Sequence, residues 1–220
     1  QRYVWDLHYP PPPAESYTLP ISATPHNTMR EPRGPFVQPG RYVVRLTVDG
    51  TRYTQPLTVR MDPRVKTPAA ALRQQSTLSM ALYRAMLGGA DKLARIKALR
   101  EQLAARKAGA SAENASAIDA LDHKLQALEG PRGRGAFGAA SSGGGDSFGA
   151  LSSQLLSVIG VLQGADGVPT SQAVAAAGDR ERRSAALVAT FDRIVRADLP
   201  ALNAKLTAAG APPITSSEGR

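Results

Sequence analysis

The side chains able to do chemistry in this 220-residue chain are few and widely spaced. It has no cysteine, which removes a thiolate nucleophile, a disulfide framework and a thiolate metal site together. The three histidines, His8, His26 and His123, fall in an expected strand, a loop and a surface helix, with no second ligand at metal spacing. Glu113, Asp119, Asp122 and Glu129 lie along one expected helix. Glycosidic acid–base work needs two carboxyl groups set across a cleft, whereas these alternate with lysine and other polar residues and read as a solvated face. Gly133-Arg-Gly-Ala-Phe-Gly138 has the letters of a dinucleotide-binding fingerprint. That motif works only where a strand feeds a helix N-terminus, and here a helix precedes it and a Gly/Ser tract follows, so it reads as loop. Asn114-Ala-Ser116 is a glycosylation sequon by letter. Trp5 beside Asp6 reads first as a core tryptophan, with sugar or partner binding as the alternative. The sequence therefore assigns no catalytic, metal-ligating or cofactor-binding residue, and no cofactor is expected.

The formal charge of +9 raises the question of nucleic acid, because clustered basic side chains release counterions from phosphate backbones. Here they run from Arg2 to Arg220 and mix with acids, as in Asp179-Arg-Glu-Arg-Arg183. A nucleic-acid or anionic-surface partner would require one basic face on the folded helices, and the scatter argues against it. The longest apolar stretch, residues 151–162, is interrupted by Ser152, Ser153, Gln154 and Ser157. It falls short of the roughly 20 residues of a spanning helix.

Composition changes near Thr67, from Pro, Tyr and Val before it to Ala, Leu and Arg after it. In the first part Tyr42, Val44, Leu46 and Val48 alternate with polar residues, and Asp49-Gly50 has the chemistry of a two-residue hairpin turn. The register follows from that turn: Val48 opposite Thr51, Leu46 opposite Tyr53, Val44 opposite Gln55 and Tyr42 opposite Leu57. Residues 2–9 predict a further strand, with Tyr3, Trp5 and Leu7 on one face, ended by the four prolines 10–13. Residues 17–21 could add a short one. These strands fall short of the roughly seven of an immunoglobulin-like sandwich, so residues 1–63 are expected to form a partial one, with missing strands before Gln1 or a neighbouring domain covering the sheet.

The second part, residues 67–210, predicts an antiparallel four-helix bundle. Thr67 is the expected N-cap of a helix that continues through Gly88-Gly89 to about Arg106, on a stripe of Leu82, Met86, Leu93, Ile96 and Leu103 interrupted by Arg100. Ile118, Leu121, Leu125 and Leu128 mark a second helix, and Leu151, Leu155, Ile159 and Leu162 a third. Thr170 caps a long fourth, which Pro200 should kink. Residues 130–148, rich in Gly and Ser, predict a flexible loop. The fold class is thus α+β: a partial immunoglobulin-like β-sandwich followed by an antiparallel helical bundle.

Three stretches together carry a resemblance. They are Tyr3-Val-Trp-Asp-Leu-His-Tyr-Pro10, the hairpin from Pro39 through Val59 to Asp62-Pro63-Arg64, and Asp198-Leu-Pro-Ala-Leu-Asn203 with Ala208-Ala-Gly-Ala-Pro-Pro-Ile214. They resemble the C-terminal region of secreted bacterial sortilin-like proteins with sialidase-type repeats, β-propeller proteins often labelled glycosyl hydrolases. The resemblance implies a position after the propellers, and a secreted, periplasmic or cell-surface location. Catalytic residues of such a family would lie in the propellers, so none is carried onto this chain. The expectation is a non-catalytic accessory module that docks on an upstream β-propeller of the same protein or on a partner protein, with Tyr3, Trp5, Tyr42 and Tyr53 as the candidate interaction surface. The alternative is a supporting domain of a propeller enzyme that hydrolyses glycans or peptides.

Overall fold

A computed structural model of the 220 residues describes residues 3–14, 17–19, 28, 30–130 and 146–216. The fold is α+β. Strands β1 (Gly40–Val48) and β2 (Thr51–Val59) form a two-stranded antiparallel sheet. Helices α1 (Ala69–Lys107), α2 (Ala112–Glu129), α3 (Phe148–Gln163), α4 (Ser171–Arg193) and α5 (Leu199–Ala208) follow, with a π-helical turn, Ile194–Asp198, joining the last two. Among the described residues no helix is long and apolar enough to cross a membrane.

Helix α1 is the element the others pack on, meeting α2, α3 and α4 along its 39 residues. It runs unbroken through Gly88-Gly89, where Gly89 faces the Phe148 ring of α3 and lets the two helices approach. Leu82, Ile96 and Leu103 of α1, Ile118 and Leu125 of α2, and Phe191 of α4 are essentially sealed from water in one shared core. Thr67 does not cap α1. Pro68 holds the cap position without a side-chain bond, and the Thr67 hydroxyl donates instead to the Asp166 carbonyl at 2.5 Å. Buried Gln75 donates to the carbonyls of Leu162 and Ala165, satisfying acceptors that the end of α3 leaves open. Thr170 is the N-cap of α4, accepting from the Ala173 N–H at 3.2 Å.

Pro200 neither ends nor merely bends the last helix. It has no N–H for the ladder and its ring crowds the preceding turn, and the chain answers with one wider turn in which the Leu199 N–H reaches back five residues to Ile194 O. Beyond α5 the chain folds back, and Asn203 clamps Ile214 through both its amide groups, at 2.8 and 2.9 Å. This closes buried Ile214 onto the core.

One expectation for the first 63 residues fails. The strand expected over residues 2–9 is absent from its described part, 3–9: Leu7 has φ 62°, the side chain of Asp6 accepts from the His8 N–H at 3.2 Å, and Trp5 Nε1 donates to His8 O at 2.9 Å. An aspartate closing its own backbone two residues on is turn chemistry, and it overrides the alternation. What remains is an isolated bridge between His8 and Phe36, flanked by bonds from Tyr9 N–H to Pro35 O and from Val37 N–H to Leu7 O. Of residues 17–21, the described part 17–19 supplies one bridge, Thr18 to Glu31, and residues 20–21 lie outside the described residues. The prolines tie this layer to the helices. Pro12 is fully buried, and Pro10 O accepts from the Tyr83 hydroxyl of α1 at 2.9 Å. Gly34 is required where the layer crosses itself, because a Cβ there would lie 2.5 Å from the carbonyl oxygens of Tyr9 and Pro10.

The expected loop over residues 130–148 is corrected at its far end, and residues 131–145 lie outside the described residues. Phe148 is buried as the first residue of α3, Ser147 caps that helix, and Asp146 is bridged by Arg183 of α4. The Arg183 guanidinium, bonded through Nε at 2.8 Å, holds the Asp146 carboxyl below its usual range. A depressed folded value means the pair stabilises the fold above the unfolded carboxyl pKa, near 4, and loses that contribution as pH falls through the lowered folded value. Asp146→Asn is therefore expected to cost at most about 1 kcal/mol at neutral pH, because the pair is well exposed, and to flatten the acid limb. Urea melts at pH 7 and pH 3 check both; a variant as acid-sensitive as the parent would deny the pair this role.

Candidate interaction surface

The hairpin forms in the predicted register, pairing Tyr42 with Leu57, Val44 with Gln55, Leu46 with Tyr53 and Val48 with Thr51. Asp49 and Gly50 have φ 47° and 80°, the two positive values a tight two-residue turn requires. One face carries Tyr42, Val44, Leu46 and Val48 of β1 beside Tyr53 and Leu57 of β2; the other carries Arg41, Val43, Arg45 and Thr47 beside Arg52, Thr54, Pro56 and Thr58.

Neither face is covered by the helices. Val44 is 52 % exposed, Leu46 59 % and Tyr53 58 %, and on the opposite face Val43 is 68 % exposed. Only the base of the apolar face is packed. There Trp5 meets Tyr42 edge to face with ring centroids 5.6 Å apart, and the Tyr42 hydroxyl donates to Gln38 O at 2.5 Å. Burial and then the nearby Tyr9 raise the Tyr42 hydroxyl above its ordinary pKa. Of the four residues expected to form a surface, Trp5 and Tyr42 are brought together half-buried, Tyr53 stands farther along the same face, and Tyr3 is 89 % exposed with no ring contact. Trp5 is therefore not a core tryptophan.

The remaining sequence signals land elsewhere. Asn114 of the sequon is buried in α2, out of reach of a modifying enzyme in the folded state. Of the four carboxylates expected on a solvated face, the side chains of Glu113 and Asp119 are exposed as expected, Asp122 is half-buried and Glu129 buried, and all four make interhelical ion pairs. Glu113 meets Lys205, Asp119 meets Lys107 at 2.7 Å, and Asp122 and buried Glu129 both engage Arg100 of α1, at 2.7 and 2.5 Å. Arg100 was the charged break in the α1 stripe, and Asp122 and Glu129 are seven residues apart on one side of α2, but neither pattern by itself marks the other as its partner. His26 and Gly133 to Gly138 lie outside the described residues, and His123 is exposed.

His8 lines a cleft of about 560 Å³ between the N-terminal layer and α3, with Glu31, Arg33, Phe36, Leu156 and Gln163. Its ring lies against Phe36 at 3.8 Å, and Nδ1 is 3.1 Å from Asp6 Oδ2. Arg33 is held by Glu31 at 2.5 Å and lies 3.9 Å from Asp6, so its charge is already met by carboxylates. Among the described residues no group of three His, Asp or Glu side chains is placed to hold a metal ion.

Comparison with protein-family models finds no match, and comparisons with curated proteins and with solved structures find none either.

Proposed function

We propose that this chain is a non-catalytic accessory and interaction module, whose hairpin docks on a neighbouring β-rich domain while the helices form its rigid base. On this reading residues 1–63 are a partial immunoglobulin-like sandwich completed by the neighbour, and residues 67–210 are an antiparallel four-helix bundle. The neighbour is the upstream β-propeller of a secreted sortilin-like protein, as the resemblance implies, or a partner protein. The observation that carries the reading is the bare apolar face of Val44, Leu46, Tyr53 and Leu57, all exposed in a chain that buries its other large aliphatic stripes. A two-stranded hairpin is at best marginally stable alone in water, and a contiguous exposed apolar patch marks a surface that meets something.

Hydrogen exchange tests this directly. Hairpin amides are expected to exchange rapidly in this chain alone and to be protected once its neighbour is present, either in the full-length secreted polypeptide or in that polypeptide's complex with its partner protein; equal rates in all three overturn the reading. The purified chain is also expected to show no turnover on a panel of glycosides and peptides. Turnover abolished by Asp6→Asn or Asp62→Asn would move it to the enzyme class.

A further inference from the structure

We infer that the hairpin recruits its partner by strand addition along the outer edge of β1, and that the added strand belongs to a partner protein and carries acidic residues at every second position. The inference rests on the reading of the hairpin as a docking element and names the edge, the geometry and the partner's chemistry.

The two edges are not equivalent. In a two-residue hairpin the pair flanking the turn, Val48 and Thr51, exchanges backbone bonds, and bonded pairs then recur at every second position through Leu46 and Tyr53 to Gly40 and Val59. The amides and carbonyls of the intervening residues point outward: those of Arg41, Val43, Arg45 and Thr47 from β1, and those of Arg52, Thr54, Pro56 and Thr58 from β2. Pro56 thus sits where its missing N–H costs the hairpin nothing, yet it removes the central donor of the β2 edge. The β1 edge keeps every donor. Residues 41, 43, 45 and 47 are all exposed, and none of their backbone groups is bonded outside the sheet.

Charge selects the partner. A strand laid on β1 places alternate side chains beside Tyr42, Val44, Leu46 and Val48 and the others beside Arg41, Val43 and Arg45. Neither hairpin strand contains an acidic residue, and Arg41 and Arg45 face only Thr58 and Thr54 across the sheet. Acidic residues in the incoming strand would meet both cations, while the alternate apolar ones extend the bare face. The same arginines disfavour self-pairing in one register: in a two-fold β1–β1 pair centred on Val43, Arg41 would face Arg45 of the second copy, and like charges directly opposite are destabilising.

The probe is a blocked heptapeptide of alternating valine and glutamate, with a valine–lysine peptide as its counterpart, titrated into the isotopically labelled chain and followed by NMR. The glutamate peptide is expected to protect the amides of Arg41, Val43, Arg45 and Thr47, and to bind at least about tenfold more tightly than the lysine peptide at low salt. Val43→Pro, which copies on β1 the block that Pro56 makes on β2, is expected to weaken binding at least about tenfold. Thr54→Pro, the same chemistry on the other edge, is expected to change it less than about twofold and controls for damage to the hairpin. The double variant Arg41→Glu with Arg45→Glu, which involves no proline, is expected to reverse the preference between the peptides. Equal loss in the two proline variants, perturbation confined to the Leu46 and Tyr53 face, a preference that does not reverse, dimerisation through β1, or no binding by either peptide overturns the strand-addition inference. The docking reading itself is decided separately by the hydrogen-exchange comparison.

Discussion

Replacing Arg100 by methionine is expected to lower the unfolding free energy by about 3–5 kcal/mol, the scale for removing one partner of a buried ion pair. Arg100 donates to Asp122 through Nε at 2.7 Å and to Glu129 through Nη1 at 2.5 Å, and these carboxylates push its pKa upward, Asp122 most. Methionine restores the aliphatic packing but takes this cation away from half-buried Asp122 and from Glu129, which is only 6 % exposed. The charge, not the volume, carries the effect. The triple variant Arg100→Met, Asp122→Asn, Glu129→Gln is therefore expected to recover much of the loss, since a buried ionic group replaced as a unit leaves no uncompensated charge. Urea denaturation followed by far-ultraviolet circular dichroism measures both. A single variant within about 1 kcal/mol of the parent would show that solvent reaches these acids and screens them.

Phe191→Ala is expected to cost about 3–5 kcal/mol, the usual range for truncating a fully buried aromatic residue. The ring is wholly buried among residues of the shared core. It also lies under two cations of α1, with Arg95 Cζ 5.1 Å and Lys92 Nζ 5.9 Å from its centroid. Those charges gain from the ring face, and truncation forfeits that attraction as well as the packing. Phe191→Leu keeps most of the volume and should cost distinctly less. If leucine costs as much as alanine in matched chemical melts, the cation contacts rather than the cavity dominate.

What the sequence displays and what it conceals divide along a physical line. The hairpin was legible to the residue, because Asp49-Gly50 determines a turn and the turn determines the register without reference to anything distant. The helical stripes were legible for the same reason, being periodic over many residues. Residues 2–9 misled because alternation is also what a short extended segment shows when an Asp6 side chain turns it. Thr67 misled because a hydroxyl that can cap its own helix can equally bond a carbonyl 99 residues away. Asp122 and Glu129 were misassigned because their partner lies on another helix, and a pattern on one helix carries no mark of what faces it. Of the residues expected to form a surface only Tyr53 stands on the bare part of the hairpin face, since nothing local says whether an apolar face will be covered.

The wide turn before Pro200 changes how the last helix counts. Its inward-facing residues are Leu187, Phe191, Ile194, Leu199, Leu202 and Leu206, with steps of four, three, five, three and four. A step of five in a regular helix of 3.6 residues per turn would put Leu199 about 140° around from Ile194, facing water. The π turn absorbs the surplus residue, so both halves present leucines inward despite a sequence one residue too long between them. This stretch is accordingly a place where the chain can lose a residue without exchanging inside for outside, provided Pro200 is lost with it. In length variants of this helix, single-residue gaps between positions 194 and 199 should accompany the absence of proline at 200, a correlation that reflects phase rather than any contact.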